Sequence, residues 1–328
     1  MSAPRGYNRY RGRSPLWKKV VAALLILVII LAVAFMVLQD RVFYDDTGTP
    51  HLPRPAGQEE ASGVPAVDPG QLDITVEQME PEKEPLRAAE LAELPPGETD
   101  LLAAMPAGDF EALAVTMKDG AGRVYHTSES QRAAVAALTG SQYRTIARMS
   151  CFLDPKAARA DVEGVGLKNT GGYLFYDGNN ANWLDPGKPA ARQYLCQLAR
   201  ELADQGFDEL LLTNVSYPTE GKIDKIDYGE ALKPAALADF LREVRAAVGE
   251  NVSVSLQLPA QTILSGSDPV SGIVLADLAP LADRIYAVTD AASAPALEQA
   301  VRSACEETEF VAEVTDAAGV EGSFLLVQ

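Results

Sequence analysis

Beyond residue 85 the chain alternates short apolar runs with longer amphipathic stretches, and it does so eight times. The runs at 86–91, 112–117, 145–152, 208–215, 252–258, 284–288, 310–314 and 323–327 have strand length. The core of the fourth, Leu210-Leu211-Leu212, has no polar alternation, as expected of a strand covered on both faces. Between the runs, 130–138, 189–205, 234–248, 273–281 and 296–306 predict helices, and in the second of these Tyr194, Leu195, Leu198 and Leu202 fall on one side. Asp154-Pro155 starts a further helix, a helical patch lies near 101–105, and Lys118-Asp119-Gly120 leads into a hairpin-like turn that reaches His126. Eight βα units in about 240 residues predict an α/β fold of the (β/α)8 TIM-barrel type over 86–328, in preference to an open sheet. No strand-to-helix turn carries a Gly-rich phosphate loop, which disfavours a nucleotide-binding sheet.

The chain before the barrel follows other rules. Residues 20–38 form an unbroken apolar run without Gly, Pro or charge. As a helix it would reach about 28 Å, close to the ~30 Å hydrocarbon core of a bilayer, so a transmembrane helix is expected there. Six basic residues and no acid occupy 1–19, and Asp40, Asp45 and Asp46 follow the run. By the positive-inside rule residues 1–19 are then a cytoplasmic tail, and everything after the span is extracytoplasmic, at the cell membrane. Residues 39–85 are rich in Pro, Gly and acid, which predicts an extended, self-repelling, disordered stalk.

Charge narrows the partners. The formal net charge is −18, and beyond the basic tail 22 bases face 46 acids. Nucleic acid and an anionic lipid surface would be repelled at long range, so a neutral ligand is the easier fit. Cys151, Cys196 and Cys305 are too few and too scattered for a disulfide framework or a zinc site, and burial as small hydrophobes is expected. No metal or other cofactor is expected.

The polar residues that end the fourth strand, Thr213, Asn214, Ser216 and Tyr217, fall where α/β barrels bind ligands, or else merely cap the strand. Lys118 and Asp119 hold the same place on the second strand, with a solvated turn as the plain alternative. Arg148, mid-strand among apolar neighbours, points into the barrel and must be paired. The loop from Gly171 to Pro186 is dense in Gly, Asn and aromatics. Trp183 with Tyr173, Phe175 and Tyr176 could stack a sugar ring, and Asp177, Asn179, Asn180 and Asn182 could bind its hydroxyls. The alternative is that the rings pack down on the barrel.

Four motifs connect residues 86–328 with a known family. The stretch Ala114 to Gly122 is similar to a second strand that ends Asp-Val-Lys-Asp, and Ile146-Ala147-Arg148 with Phe152-Leu153-Asp154-Pro155 is similar to a third carrying Ile-Ala-Arg and Phe-Lys-Asp-Pro. Trp183-Leu184-Asp185-Pro186 matches a Trp-Leu-Asp-Pro loop, and Gly206-Phe207-Asp208-Glu209 opens like the signature Gly-Phe-Asp-Glu-Ile-Gln-Phe-Asp-Tyr-Val-Arg-Phe-Pro. In these places the chain resembles DUF4015, a bacterial family of glycoside hydrolase-like TIM barrels distantly akin to α-amylase-type enzymes. The resemblance implies a polysaccharide ligand, such as a cell-envelope glycan.

The chain departs from the family where chemistry would be expected. Thr116, Thr213 and Ser255 align with acidic positions of the family. A hydroxyl can hydrogen-bond a sugar but cannot protonate a leaving oxygen at neutral pH, whereas glycoside hydrolysis ordinarily uses two carboxylates. Three functions remain open: a polysaccharide-binding domain with lost or reduced hydrolysis, an active hydrolase with a relocated acid pair, or an envelope scaffold. Whether the protein is an enzyme is left uncertain. The relocated pair would be drawn from Asp119, Asp177, Asp185, Glu313 and Asp316, with Asp119 and Asp177 the catalytic candidates. Lys118, Arg148, Trp183, Asn214, Tyr217 and Gln257 are the candidate substrate-binding residues.

Overall fold

A computed structural model describes residues 43–44, 50–51, 84–94, 104 and 107–327. The chain divides into two compact units, Met1–Gln78 and Met79–Gln328. In the first, the two-residue strands Phe43–Tyr44 and Pro50–His51 pair antiparallel. The expected tail at 1–19, the span at 20–38 and most of the stalk lie outside the described residues. Among the described residues no helix is long and apolar enough to cross a membrane.

The second unit is a closed barrel of eight strands: β1 Arg87–Leu91, β2 Ala112–Lys118, β3 Arg144–Ser150, β4 Glu209–Thr213, β5 Ser253–Gln257, β6 Arg284–Val288, β7 Glu309–Val314 and β8 Phe324–Leu326. Every neighbouring pair is parallel and follows chain order, and β8 closes on β1. All eight predicted strands are present, each within two residues of the expected bounds.

The helices between them start where the sequence signals. Ser128 and Gln131 form a reciprocal capping box on α1, Glu129–Thr139. Asp154 caps α2, Pro155–Ala160, by accepting from the Ala157 N–H, with Pro155 opening the helix. Prolines also open α3, Pro189–Asp204, and sit in the first turns of α4, Lys233–Val248, and α7, Ala294–Ala304.

Two expectations need correction. The stretch 273–281 is not one helix: Ile273–Val274 pairs with Ser267–Asp268 in a small hairpin, followed by α6, Leu275–Leu278, and a single 3-10 turn. Gly272 at φ 82° makes the return of that hairpin, with an added Cβ only 2.6 Å from Lys233 Cβ. A short helix that the pattern did not suggest, α5 Ala260–Ser265, precedes it. β7 runs into β8 through turns at 315–323, with no helix between.

Strand alternation sends every second side chain into the lumen, where three layers form. The middle of the lumen is an apolar cluster of small Ala88, Ala112 and Ala114 with large Ile146, Leu211, Tyr286 and Leu325. Below it, at the N-terminal ends of the strands, lies a charged network centred on Glu209, which is fully buried. Its carboxylate meets Arg284 Nη1 at 2.6 Å and Arg144 Nη2 at 3.3 Å. It also accepts from Ser255 Oγ at 2.6 Å and from the Tyr286 hydroxyl at 2.8 Å. Arg284 Nε reaches on to Glu309 at 2.7 Å, and Glu309 accepts from Ser323 Oγ. Ser255 therefore belongs to the foot of the barrel and not to its mouth. On β5 the mouth position is Gln257, two residues further on.

Removing one partner of a buried ion pair strands the other charge without solvent. Glu209→Ala, which leaves Arg144 without its charge partner and Arg284 with Glu309 alone, is expected to lose about 3 kcal/mol of stability, read as a lowered urea midpoint. An unchanged midpoint would contradict the assignment of this network as a structural plug.

Candidate functional site

The upper lumen layer, at the C-terminal ends of the strands, is polar again. Arg148 points inward as expected and is paired: Nε lies 3.1 Å from Glu90 on β1, and Nη2 lies 3.2 Å from Glu313 on β7. Gln257 Nε2 donates to Glu313 at 2.6 Å. Glu313 is 1% exposed, and burial raises its carboxyl above the ordinary range against the opposing pull of Arg148 and Gln257. One guanidinium thus bridges two carboxylates, one from β1 and one from β7.

Gln257 also reaches the floor of a cleft of about 470 Å³ above the mouth, a volume within the ~300–1,000 Å³ typical of small-molecule sites. Three loops build it. The β3–α3 loop supplies Leu153, Asp177, Asn179 and Trp183; the loop after β4 supplies Asn214 to Glu220; the segment after β5 supplies Leu258 to Ala260 with Asp268, Ser271 and Ile273. Val288, the last residue of β6 and 64% exposed, completes the rim.

Local chemistry fixes each wall. Asp177 Oδ1 accepts from the Asn179 and Ala181 N–H groups at 2.9 and 2.8 Å, closing a tight turn with Asn180 at φ 65°. Its Oδ2 accepts from Trp183 Nε1 at 2.8 Å, which pins the indole against the loop. Asn214 sits at φ 53°, a left-handed conformation that Asn tolerates better than most residues. Its Nδ2 donates to Ser150 Oγ at 3.0 Å. Tyr217 stacks edge-to-face on Tyr228, and its N–H donates to the Ser271 carbonyl at 2.9 Å, which ties the hairpin after β5 to the wall. Burial raises the Tyr217 phenol above its ordinary range, with Asp185 adding to the shift. For Asp268, burial pushes upward but hydrogen bonds from Ser271 and Val270 prevail and hold its carboxyl below the ordinary range.

The cleft therefore brings together Asp177, Trp183, Asn214, Tyr217 and Gln257. It does not include Lys118, Asp119 or Arg148. Lys118 is buried, with Nζ 2.9 Å from Asp154 and 2.7 Å from the Ser150 carbonyl. Asp154 in turn accepts from the Tyr194 hydroxyl. Asp119 accepts from the backbone N–H groups of Ala121 and Arg123, from Arg123 Nε and from the Tyr125 hydroxyl, so it organises the turn after β2. Burial raises its carboxyl, but those hydrogen bonds win and hold it below its ordinary value.

The aromatic loop divides. Phe175 and most of Trp183 pack into the core, while Tyr173 and Tyr176 stand exposed. His126 is buried beside Glu201 at 3.2 Å. Thr116 lies in register with Arg148 and does not line the cleft, and Thr213 is buried next to Asn214. All three cysteines are free; burial pushes the Cys151 thiol up to about 12. Among the described residues no group of acids, histidines and cysteines is arranged to hold a metal ion. Glu90 and the hairpin residues Asp268 and Ser271 escaped the sequence reading. An acid two residues after the lumen-facing Ala88 was the available signal for the first, and Asp268-Pro269 with Gly272 for the hairpin.

Behind Tyr217, Asp185 is buried and accepts from the Gly187 N–H at 2.9 Å. Burial raises its carboxyl, outweighing that bond and the charge of Lys188. Because native Asp185 holds its proton more tightly than the unfolded chain does, its contribution to stability is full below the ordinary value of 3.8 and is lost as pH rises through the raised native value. Asp185→Asn keeps the acceptor and removes the titration. Urea unfolding is expected to show the variant gaining on the parent protein as pH rises across that window, and a pH-independent difference would contradict this.

Comparison with known proteins agrees with the architecture. A family model described as "Putative glycosyl hydrolase domain", DUF4015, matches residues 98–288, more than half of the chain. No curated protein matches significantly. Among solved structures, a hypothetical protein from Ruminiclostridium thermocellum is 24% identical over 45% of this chain and 84% of its own, with a TM-score of 0.41. The glycoside hydrolase domain of PelA from Pseudomonas aeruginosa is 18% identical over 70% of this chain and 84% of its own, with a TM-score of 0.41. The GH36 α-galactosidase AgaA from Geobacillus stearothermophilus, at 9% identity and a TM-score of 0.50, covers 75% of this chain and 39% of its own, and shares the fold. The family match spans β2 through β6, the Trp183-to-Pro186 loop and the strand that ends in Asn214, and this chain belongs to the DUF4015 glycosyl hydrolase-like family.

Proposed function

We propose that the barrel is an extracytoplasmic polysaccharide-binding domain with lost or reduced hydrolysis, held at the membrane through residues 20–38 and presented on the acidic stretch 39–85. The observation that carries the reading is the cleft floor. The ends of β4 and β5 offer the carboxamides Asn214 and Gln257 and no carboxylate, whereas glycoside hydrolysis ordinarily uses a carboxylate pair. Ser216, Thr219 and Ser271 add hydroxyls around them. Amides and hydroxyls both donate and accept, which matches the mixed hydrogen bonding of a sugar. The Asp177 oxygens are occupied by three N–H donors of its own loop, and Glu313 lies sealed behind Gln257.

The second reading, an active hydrolase, is favoured by one observation: Arg148 holds the carboxylates of Glu90 and Glu313 together at the mouth, and burial raises the Glu313 carboxyl. The two readings part in one assay. On the first, the purified protein binds neutral oligosaccharides and releases no new reducing ends from α- or β-linked polysaccharides or peptidoglycan. Asn214→Ala and Gln257→Ala each weaken binding by up to about tenfold, the size of one lost hydrogen bond. Release of reducing ends that disappears in Glu313→Gln would establish the second reading, and well-folded protein that binds no glycan would remove both.

A further inference from the structure

The charge lining the cleft deepens the glycan reading, on which the following inference rests. Three carboxylates, those of Asp177, Glu220 and Asp268, line this cavity, and among the described residues no lysine or arginine does. The nearest ammonium to its hairpin wall is that of Lys233, which does not line the cavity but whose charge acts on Asp268. Its Nζ donates to the Val270 carbonyl at 2.8 Å and lies 3.8 Å from the centroid of the Tyr228 ring. The donors that hold the three carboxylates are neutral N–H dipoles, so they orient the charges without cancelling them.

Asp177 and Glu220 come from two different loops and are brought to one wall by Asn179. Its backbone N–H donates to Asp177 and its Nδ2 donates to Glu220 at 3.3 Å. Glu220 is exposed and accepts only that one bond among the described residues. Most of a carboxylate's roughly four acceptor positions therefore remain open. A neutral sugar brings no counter-charge to the carboxylates of Asp177 and Glu220, which no lysine or arginine of the lining meets. A ligand that carries an ammonium supplies one and gains charge-assisted hydrogen bonds.

We infer that the cleft recognises an amino sugar with a free, protonated amine, so that its ligand is a partly or wholly de-N-acetylated hexosamine polymer, with Glu220 as the principal anchor of the ammonium. The acidic balance of the whole chain acts in the same direction at long range, drawing a polycationic glycan toward the protein.

The test compares ligands that differ only in the acetyl group. Calorimetric titration of the full chain with gluco- and galacto-configured hexosamine oligomers, each free and N-acetylated, is expected to show at least about tenfold tighter binding of one free-amine oligomer than of its acetylated counterpart. That preference should shrink as salt is added and largely vanish in Glu220→Gln, an exposed substitution that leaves the fold intact. Asp268→Asn provides a second, independent reduction. Equal affinity for free and acetylated oligomers, a preference for the acetylated form, or a free-amine preference that survives in both variants overturns this inference and leaves glycan binding standing. Binding of none of the oligomers, nor of any neutral glycan, overturns the glycan reading itself.

Discussion

A carboxylate held out of water between two arginines sets the terms for this barrel. Glu209 is fully buried at the foot of the lumen, and Arg284 and Arg144 supply the opposite charge that such a site requires. The same oxygens also take the hydroxyls of Ser255 and Tyr286. Strands β3, β4, β5 and β6 are thereby locked in one register, since a slip by one residue would turn each of these groups out of the lumen. The apolar middle layer then sits directly above, and the mouth layer above that, so the height of Arg148, Gln257 and Glu313 is fixed by a network at the opposite end of the strands.

At the mouth the structure uses its charges mostly on itself. Arg148 links Glu90 to Glu313, Lys118 is sunk against Asp154, and Asp119 ties a turn. Groups that face the cleft are amides, hydroxyls and aromatic rings, with three carboxylates on the walls. Amides and hydroxyls at the ends of β4 and β5 can hydrogen-bond a sugar, but they do not supply the proton that bond cleavage needs.

Much of this was legible in the sequence, and for identifiable reasons. Strands buried on both faces are written as apolar runs, so Leu210-Leu211-Leu212 and its seven counterparts could be counted, and the count implies closure. Arg148 could be placed in the lumen because a lone charge among apolar neighbours in a strand has nowhere else to find a partner. The partners themselves could not be read. Glu90 and Glu313 are 58 and 165 residues away from Arg148 along the chain, and only closure of the barrel brings them together. The Asp177 to Trp183 bond is local, yet it depends on the turn that Asn180 completes in a left-handed conformation. The stretch 273–281 reads as one helix because it carries apolar residues at helical spacing, whereas Ile273 and Val274 pair with Asp268 and Ser267 in a hairpin.

The most direct test of the cleft as the ligand site is to follow side-chain N–H resonances by nuclear magnetic resonance during titration with an oligosaccharide. The account predicts progressive shifts of the Trp183 indole N–H and of the Asn214 and Gln257 carboxamides, while the guanidinium signals of Arg144 and Arg284 at the foot of the barrel stay fixed. Shifts confined to the foot, or to surfaces away from the mouth, would contradict it.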